Sequence, residues 1–433
     1  MSPTLPGAAL PSYDEAAALI AGYSAKRARI RLGVERVALD EAAGRVLAEP
    51  LHADRDQPPF ARSARDGFAC RAAEASTHRP LAVAGATRAG QAPSGPLPRG
   101  SAWEIMTGAP VPSGADAVIM LEHVETSGGP SARTVRLLPP RTIEKDGNIV
   151  ARGAQARKGD KLLPVGTVIG AAQAALAAAC GFPALKVFLR PRVAILATGY
   201  ELVPIRSSPA PGQIRNSSSA MLAAMVAAAG GEPWVLPIAR DTAKSLDAAI
   251  ARAGEANLLL ITGGVSAGRF DLVEPALARA GARFHFTGVR IQPGKPLVFG
   301  DLPKRNAKMG KSIRRTSLPI FGLPGNPVSS AVTFLLFAAP VLAALAGRLD
   351  RGPRFALAHL ISEVKARPGL TRFLPATCSF AGPLPQVALI PSEGSGDLAT
   401  MARANCFIVV PEEGDLRPKS CLEPGATVRI LLP

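Results

Sequence analysis

Between residues 193 and 347, short apolar runs alternate with segments that carry alanine, leucine and isoleucine at helical spacing. The apolar runs read VAILATG, WVLPIA, LLLITGG and PIFGLPG, and the helical segments include NSSSAMLAAMVAAAGG and AKSLDAAIARAG. Strands that alternate with helices in this way form a mainly parallel sheet with helices on both faces. The pattern therefore predicts a doubly wound α/β domain, in which ligands bind outside the carboxyl ends of the strands.

The chain on either side of this region has other patterns. Helical spacing predicts one helix over residues 13–23 and a second over 39–48, and it returns over residues 162–184. From about residue 51 to 150, short apolar runs are separated by proline and glycine, which predicts a β-rich lobe. After residue 351, runs such as CFIVV and TVRILL predict a small closing β-barrel or sandwich.

Two segments stand out within the α/β region. The apolar run TFLLFAAPVLAALAG at residues 333–347 is too short to span a bilayer and contains Pro340, so it predicts a buried helix broken at the proline. The insertion at residues 302–316 carries six Lys or Arg residues between Lys304 and Arg315. Such a charge run is typical of a flexible, solvated surface loop.

Composition narrows the class of protein. Hydrophobic residues make up 47% and charged residues 19%, as in folded globular proteins. The net charge of +17 favours acidic partners, but aromatics are only 5% and no basic stretch alternates with them, which argues against nucleic acid. The five cysteines are scattered, the histidines form no zinc pattern, and the N-terminus lacks a signal peptide. We expect a reduced, cytoplasmic protein without a membrane partner.

The loop TGGVSAG at residues 262–268 follows an apolar strand and precedes a helix. Adjacent glycines let backbone N–H groups converge, and a helix N-terminus adds partial positive charge, so the loop favours phosphate. The candidate contacts are Gly263, Gly264, Ser266 and Gly268. The alternative is an ordinary strand-to-helix turn, with Asp271 as N-cap and Glu274 completing a capping box.

A second junction of this kind is FGLPGNPVSSAV, where Gly325 and Asn326 precede a helix that begins at Pro327. Pure helix capping by Asn326 is the alternative interpretation. Between the two junctions, Lys295 lies in a Pro-Gly-Lys-Pro turn, where it is either a solvated side chain or a phosphate ligand. In the β-rich lobe, Asp66 of RSARDGFA and Thr107 of IMTGAP are either local turn residues or site residues.

Eight strings occur in a fixed order: RSARDGFA, IMTGAPVPSGADAV, GNIVARG, TGYEL, GGVSAGRFD, QPGKP, GLPGNPVS and NCFIV. Together they resemble the molybdopterin molybdenumtransferase family, which includes bacterial MoeA and the E domain of gephyrin. The resemblance runs from about residue 12 to the C-terminus. It implies four domains: a helical linker domain (1–56 with 151–188), a β-rich lobe (57–150), an α/β molybdopterin-binding domain (189–350) and a C-terminal β domain (351–433).

The resemblance also implies a reaction. Members of the family insert molybdate into adenylylated molybdopterin with a divalent metal, here expected to be Mg²⁺, and release AMP. They are homodimers whose site lies between the α/β domain of one subunit and the lobe of the other. Further partners would be the molybdopterin adenylyltransferase or a recipient molybdoenzyme. Molybdate takes the dithiolene sulfurs of the pterin as ligands, so no cysteine cluster is required.

Residue roles follow from the resemblance position by position. Asp66, Thr107, Asp271 and Lys295 match catalytic positions. Glu201, Asp241 and Asp271 match metal-binding positions. Gly263, Gly264, Ser266, Gly268, Gly325, Asn326 and Ser395 match positions that contact the pterin nucleotide.

The chain also departs from the family pattern at six charged positions. An acid is usual where this chain has Gln155, Tyr200 and Arg269, a lysine where it has Gln292, and an arginine where it has Val150 and Pro375. Each replacement removes a contact to an ion. These departures leave open a non-catalytic molybdopterin-binding chaperone or scaffold as an alternative to the insertase. A molybdopterin adenylyltransferase is a further alternative, because the α/β domain also resembles the adenylyltransferases of the same pathway.

Overall fold

The structure is a computed structural model that describes residues 9–129, 132–265, 272–303, 317–365, 369–412 and 421–433.

The N-terminal segment forms one long helix. Helix α1 (Tyr13–Arg27) begins with a capping box, in which the Ser12 hydroxyl accepts from the Glu15 N–H and the Glu15 carboxylate accepts from the Ser12 N–H. Its buried face, which includes Ile20, joins the core of the α/β region. The helix predicted over residues 13–23 is confirmed and extends four residues further.

The helix predicted over residues 39–48 is wrong. This part of the chain contains β1 (Val34–Ala38), a single 3₁₀ turn and β2 (Leu51–His52). Leu47, buried like a core helix residue, forms a bridge with Val187 instead. Pairing with a segment 140 residues away therefore overrides the local helical spacing, as tertiary contacts commonly do.

The next region is β-rich, as the spacing of its apolar runs predicted. Its sheet has the strand order β7-β4-β6-β5-β9-β8, and Phe68 and Ile119 lie in its core. The elements are β3 (Arg62–Ser63), β4 (Gly67–Cys70), α2 (Ala72–Ala75), β5 (Leu81–Thr87), β6 (Ser101–Ile105), β7 (Ala117–Met120), β8 (Val124–Ser127), β9 (Thr134–Leu137) and β10 (Ile149–Val150).

The segment after the lobe returns to the N-terminal strands. It contains β11 (Lys161–Leu163), α3 (Ala171–Ala179) and β12 (Ala184–Phe188). The helix predicted over residues 162–184 is therefore present only as α3, in the middle of that range. Strand β11 pairs with β2, and β12 pairs antiparallel with β1. The segments before and after the lobe therefore pair with each other. The exact domain limits stay a prediction.

The α/β region follows. Its strands are β13 (Arg192–Ala197), β14 (Leu202–Val203), β15 (Ile214–Arg215), β16 (Glu232–Val235), β17 (Leu258–Thr262), β18 (Arg283–Phe286), β19 (Ile291–Gln292), β20 (Val298–Pro303) and β21 (Ser317–Leu323). Its helices are α4 (Ser217–Ala228), α5 (Ala243–Ala253), α6 (Val273–Arg279), α7 (Pro327–Thr333) and α8 (Ala339–Leu345).

The predicted doubly wound sheet is confirmed. The order is β16-β13-β17-β21-β20-β18, with the first four strands parallel and β20 antiparallel to both of its neighbours. Successive residues of β17 point to opposite faces: Leu260 packs in the core shared with α4, α7 and α8, whereas Ile261 packs in the core shared with α5 and α6. The carboxyl ends of the parallel strands therefore meet at one edge, between two helical layers.

The apolar run at residues 333–347 is buried, as predicted, but Pro340 does not break it. A π-helical turn at Phe334–Ala338 joins α7 to α8, giving 19 helical residues with a mean hydropathy of 2.1 and 89% burial. In the described part of the chain, this is the one helix with the length and apolar composition to cross a membrane. Its burial among α1, α4 and the sheet is that of a core helix.

The C-terminal strands close into a barrel. They are β22 (Arg354–Leu360), β23 (Val364–Lys365), β24 (Thr371–Ser379), β25 (Gln386–Leu389), β26 (Cys406–Val410), β27 (Cys421–Leu422) and β28 (Thr427–Leu432), with α9 (Leu398–Arg403) between β25 and β26. Pairing runs β24-β25-β22-β28-β26 and returns from β26 to β24, so five strands form a ring. Strand β19 joins this ring at β24. This pairing fixes the barrel against the α/β sheet.

Candidate functional site

A cavity of about 820 Å³ lies where the carboxyl ends of the parallel strands face the barrel. Both parts contribute to its walls, so the described lining combines residues far apart in the sequence. From the α/β region come Thr198, Glu201, Asp241, Gly263, Gly264, Gln292, Lys295, Gly325 and Asn326, and from the barrel come Arg372, Phe373, Pro375, Ser392 and Ser395. Ligands of doubly wound proteins bind at this edge of the sheet, outside the carboxyl ends of the parallel strands.

Two glycine-rich loops form one wall of this cavity. Gly263, directly after β17, has φ +91°, and a Cβ there would lie 2.3 Å from the backbone oxygen of Thr198. Gly264 also has a positive φ. Gly325 of the second loop lies beside Gly263, since a Cβ on Gly325 would be in ordinary van der Waals contact with the Cα of Gly263 at 3.5 Å. Only glycine at position 263 adopts this backbone conformation beside Thr198 without strain.

Part of the first loop lies outside the described residues. This applies to Ser266, Gly268, Arg269 and Asp271, so their predicted roles stay predictions. The capping box predicted for Asp271 and Glu274 falls there too. In the described part, α6 begins at Val273, and no side chain of its N-cap residue accepts a hydrogen bond.

Asn326 lies at the N-cap position of α7, but its side chain does not cap the helix. Its Nδ2 donates to Oγ of Ser395 in the barrel at 2.8 Å, and the Val328 N–H of the same helix donates to the Ser395 carbonyl at 3.1 Å. Pure capping, the alternative interpretation of Asn326, is therefore wrong. Asn326 and Ser395 instead connect the α/β region with the barrel at the cavity wall.

Asp241 and Glu201 contribute two carboxylates to the described lining of the cavity. Asp241 accepts a hydrogen bond from the Thr198 hydroxyl at 2.5 Å and one from the Tyr200 N–H at 3.2 Å. The Tyr200 hydroxyl also donates to the Asp241 carbonyl at 3.2 Å, so Tyr200, though 62% exposed, holds this loop in place. The Glu201 carboxylate folds against Gly199, where a Cβ would lie 2.6 Å from it.

These two carboxylates suit a magnesium ion that keeps part of its water shell. Among the described residues, no group of three or more His, Cys, Asp or Glu side chains is arranged to hold a metal by protein ligands alone. Mg²⁺ commonly binds through one or two carboxylates together with the phosphates of a substrate. Glu201 and Asp241 fit that mode, while Asp271, the third predicted ligand, lies outside the described residues.

Two cations line the cavity within its described part, Lys295 and Arg372. Lys295 is exposed in the turn after β19, and its carbonyl accepts from the Val289 and Leu297 N–H groups, which fixes the turn. Arg372 was not among the residues singled out in the sequence, because no motif surrounds it. The only local signal is alternation in β24, which places Arg372 and the buried Phe373 on opposite faces.

Gln292 and Pro375, two departures from the family pattern, also line the cavity. Gln292 accepts a hydrogen bond from Nε of Arg372 at 3.0 Å. Pro375 is buried and supplies no charge. Gln155 lies elsewhere, in an exposed loop where its N–H donates to the Gln57 carbonyl.

Asp66 and Thr107 lie together in the lobe and are not among the described lining residues of the cavity. The Asp66 carboxylate accepts from the Thr107 N–H at 2.6 Å and from the Thr107 hydroxyl at 2.9 Å. The backbone hydrogen bond, followed by the hydroxyl bond, lowers the pKa of this exposed carboxyl below its usual value. Of the predicted catalytic residues that the structure describes, Lys295 lines the cavity, whereas Asp66 and Thr107 do not.

The fold and the cavity define a class: a multidomain protein in which a doubly wound domain and a closed barrel together line a cavity that contains glycine-rich loops. Three family models match the chain in order. "MoeA N-terminal region (domain I and II)" matches residues 11–181, "Probable molybdopterin binding domain" 194–344, and "MoeA C-terminal region (domain IV)" 358–432.

Comparison with known proteins gives the same assignment. A molybdopterin molybdenumtransferase of Nostoc sp. is 35% identical over 388 residues, covering 87% of this chain and 85% of that protein. One of Bacillus subtilis is 33% identical over 411 residues, covering 92% and 89%. The crystal structure of the molybdopterin biosynthesis moeA protein from Pyrococcus horikoshii OT3 has a TM-score of 0.76 at 28% identity and covers 98% and 100%. The chain belongs to the molybdopterin molybdenumtransferase family, as the ordered motifs predicted.

Proposed function

We propose that this protein inserts molybdate into adenylylated molybdopterin and releases AMP. The names of the relatives support a molybdenumtransferase, and one observation carries the proposal for this chain. Two glycine-rich loops, two carboxylates, a lysine and a serine of the barrel line one cavity of about 820 Å³. A volume of this size accommodates a ligand of nucleotide dimensions.

The residues of the cavity divide the chemistry between them. The backbone of Gly263 and Gly264 and the ammonium of Lys295 hold the phosphates, since N–H groups and cations stabilise their negative charge. Glu201 and Asp241 are the candidate ligands of Mg²⁺. When bound, Mg²⁺ neutralises charge that develops on the phosphoanhydride. Asn326 keeps Ser395 at the barrel wall, where it contacts the ligand.

The proposed functional unit is a homodimer in which the lobe of the partner completes the cavity. The separation of Asp66 and Thr107 from the described lining supports this arrangement, because both residues match catalytic positions of the family. Their hydrogen bonds keep Asp66 ionised and oriented at the lobe surface. The adenylyltransferase or a recipient molybdoenzyme as a further partner, and a cytoplasmic location, stay predictions from the sequence.

The test is AMP release from adenylyl-molybdopterin with Mg²⁺ and molybdate, quantified by chromatography. We expect molybdate-dependent release, and we expect Lys295→Gln to lower kcat/KM about a hundredfold because it removes charge stabilisation at the phosphates. The matched control is Lys186→Gln, an exposed cation of β12 that pairs with Glu49. It should leave kcat/KM unchanged.

The same assay separates the alternatives. Tight binding of adenylyl-molybdopterin without molybdate-dependent AMP release would identify a non-catalytic chaperone or scaffold. The neutral Gln292 and Pro375 in the cavity wall are the observation that favours this second candidate. ATP-dependent adenylylation of free molybdopterin would identify an adenylyltransferase, and its absence would exclude that activity.

A further inference from the structure

A second cavity, of about 310 Å³, lies between α4, the π-helical turn and the chain that follows α8, and is here named the helix cleft. Its apolar wall includes Met225 and Ala228 of α4, Phe334 and Leu335 of the π-helical turn, and Leu432 of β28. Its described lining shares no residue with that of the large cavity. The helix cleft is therefore a separate cavity of the molecule.

The helix that forms one wall of the helix cleft is irregular at this point. A π-helical turn at Phe334–Ala338 interrupts the α-helical hydrogen bonding between α7 and α8. Such single turns inside α-helices are rare and occur frequently at functional sites. Leu335 and Ala339, which line the cleft, are partly exposed although the helix as a whole is 89% buried. The helix therefore presents apolar surface to the cleft.

Charged side chains line the helix cleft next to this apolar wall. They are Arg348, Asp350, Arg351 and Arg354. Arg354 donates to the Pro433 carbonyl oxygen, and Nε of Arg351 donates to the Arg348 carbonyl at 2.6 Å. Even with Arg354 set aside as already engaged, Arg348 and Arg351 outnumber the single carboxylate of Asp350. The charged part of the lining therefore favours an anion.

Arg348 differs from the other arginines of the described chain. Its Nε is buried and has no hydrogen-bond acceptor among the described residues. Nε of Arg45 and Nε of Arg290 share this property, but each of these two arginines pairs with a glutamate, whereas Arg348 forms no ion pair with a described residue. Buried polar groups nearly always have a partner, so an acceptor that enters the helix cleft would satisfy this N–H group.

The surroundings of Arg351 add to the positive potential. Desolvation lowers the pKa of Arg31, and the charge of the nearby Arg351 lowers it further. Two like charges are therefore held close to each other beside the cleft. An anion bound at Arg351 would reduce the repulsion between them.

We propose that the helix cleft binds a small carboxylate with an apolar tail. The tail packs against Met225, Phe334 and Leu335, and the carboxylate accepts hydrogen bonds from Arg348 and Arg351. Guanidinium groups are well suited to carboxylates because their parallel N–H donors match the two oxygens. A volume of about 310 Å³ is at the lower end for small-molecule sites, which favours a compact ligand. This proposal does not depend on the proposed function.

Isothermal titration calorimetry of the full-length protein with three probes, at fixed ionic strength, tests both parts of the site. Octanoate carries the tail and the carboxylate, 1-octanol carries only the tail, and acetate carries only the carboxylate. We expect octanoate to bind at least about tenfold more tightly than either other probe, because it alone contacts both the apolar wall and the arginines. No binding of octanoate by the unaltered protein, or equal affinity for octanoate and 1-octanol, would overturn the proposal.

Two substitutions locate the bound probe. Arg348→Gln should raise the Kd of octanoate about tenfold and leave that of 1-octanol unchanged, a difference that a merely structural role of Arg348 would not produce. Ala228→Phe fills the cleft from an exposed position of its lining, where the larger side chain does not disturb the core. It should weaken the binding of both probes.

The matched control is Arg99→Gln, which removes an exposed cation of the lobe that is not among the described lining residues of the helix cleft. It subtracts the same net charge as Arg348→Gln and should leave the Kd of octanoate unchanged. Equal losses of affinity in Arg99→Gln and Arg348→Gln would refute the proposal, as would an affinity that neither Arg348→Gln nor Ala228→Phe changes. Selective loss of octanoate binding in Arg348→Gln supports it.

Discussion

Asp301 is a partly buried carboxylate of β20 that connects α1 with the α/β sheet. It accepts hydrogen bonds from the Tyr23 hydroxyl at 2.6 Å, the Ser317 hydroxyl at 2.7 Å and Nε2 of His285 at 3.0 Å. It also forms an ion pair with Arg27 at 2.5 Å. Burial by itself raises the pKa of Asp301, but the hydrogen bonds and the charge of Arg27 outweigh it and lower the pKa from 3.8 to about 2.

This lowered pKa predicts a pH dependence of stability. A carboxylate whose folded pKa lies below its unfolded pKa stabilises the fold above about pH 4, and the contribution disappears as the pH falls towards 2. The shift corresponds to about 2 kcal/mol. Asp301→Asn should therefore lower the free energy of unfolding by at least about 2 kcal/mol at pH 7, with a smaller difference near pH 2.5.

Urea unfolding followed by circular dichroism at both pH values measures this difference. The control is Asp247→Asn, which removes a half-exposed carboxylate from a surface pair with Arg279. It should cost less than about 1 kcal/mol at either pH. An equal effect of Asp301→Asn at pH 7 and pH 2.5 would contradict the assigned role of its charge.

Among the elements, the helices α4 and α7 both begin after an asparagine, but the two side chains do different things. Asn216 caps α4, accepting from the Ser219 N–H at 3.1 Å, whereas Asn326 donates to Ser395 in the barrel. Removing a true N-cap costs about 1 kcal/mol. We expect Asn216→Ala to lower the free energy of unfolding by that amount, while Asn326→Ala weakens ligand binding with a smaller effect on unfolding.

Thermal unfolding with and without adenylyl-molybdopterin distinguishes the two variants. Asn216→Ala should shift the midpoint equally in both conditions. Asn326→Ala should lower the unfolding midpoint mainly in the presence of the ligand. If both variants behave alike, Asn326 acts as a cap after all.

The two glycine-rich loops make a second matched pair. Gly263→Ala would force alanine to φ +91° and bring its Cβ to 2.3 Å from the Thr198 oxygen, whereas a Cβ on Gly325 meets its nearest atom at an ordinary 3.5 Å. We expect Gly263→Ala to lower the free energy of unfolding by at least about 2 kcal/mol, from backbone strain and overpacking. Gly325→Ala should leave the free energy of unfolding nearly unchanged. Denaturant unfolding of both variants measures the difference, and equal decreases in the two free energies would refute this explanation.

The elements predictable from sequence are those with a strong local signal. Buried parallel strands such as β17 are continuous apolar runs, and the glycines after it mark a loop whose backbone only glycine adopts. The false helix at residues 39–48 shows the limit, because Leu47 is buried by a strand that lies 140 residues away. Arg372 was missed for the same reason: its partner Gln292 is distant in sequence, and only the β19–β24 pairing reveals it.

At the scale of the whole molecule, the lobe and the cavity are separate surfaces of one subunit. Asp66 and Thr107 bond to each other at the lobe, and the described lining of the cavity contains only α/β and barrel residues. If catalysis needs both surfaces, two copies of the chain must supply them. A closed twofold dimer then contains two equivalent sites, each made of one cavity and one partner lobe.

This arrangement predicts complementation between two inactive variants. Asp66→Asn inactivates the lobe and Lys295→Gln inactivates the cavity, so a homodimer of either variant should release little AMP. A mixed dimer, isolated by tandem purification of two differently tagged chains, combines one intact cavity with one intact lobe and should recover about half of the normal activity. In the control dimer, an unaltered chain is paired with a chain that carries both substitutions. Each site that is shared between the two chains then contains one substitution, so this dimer should be inactive. A site confined to one subunit would give the opposite pair of results, because the doubly substituted chain would then leave its partner's site intact.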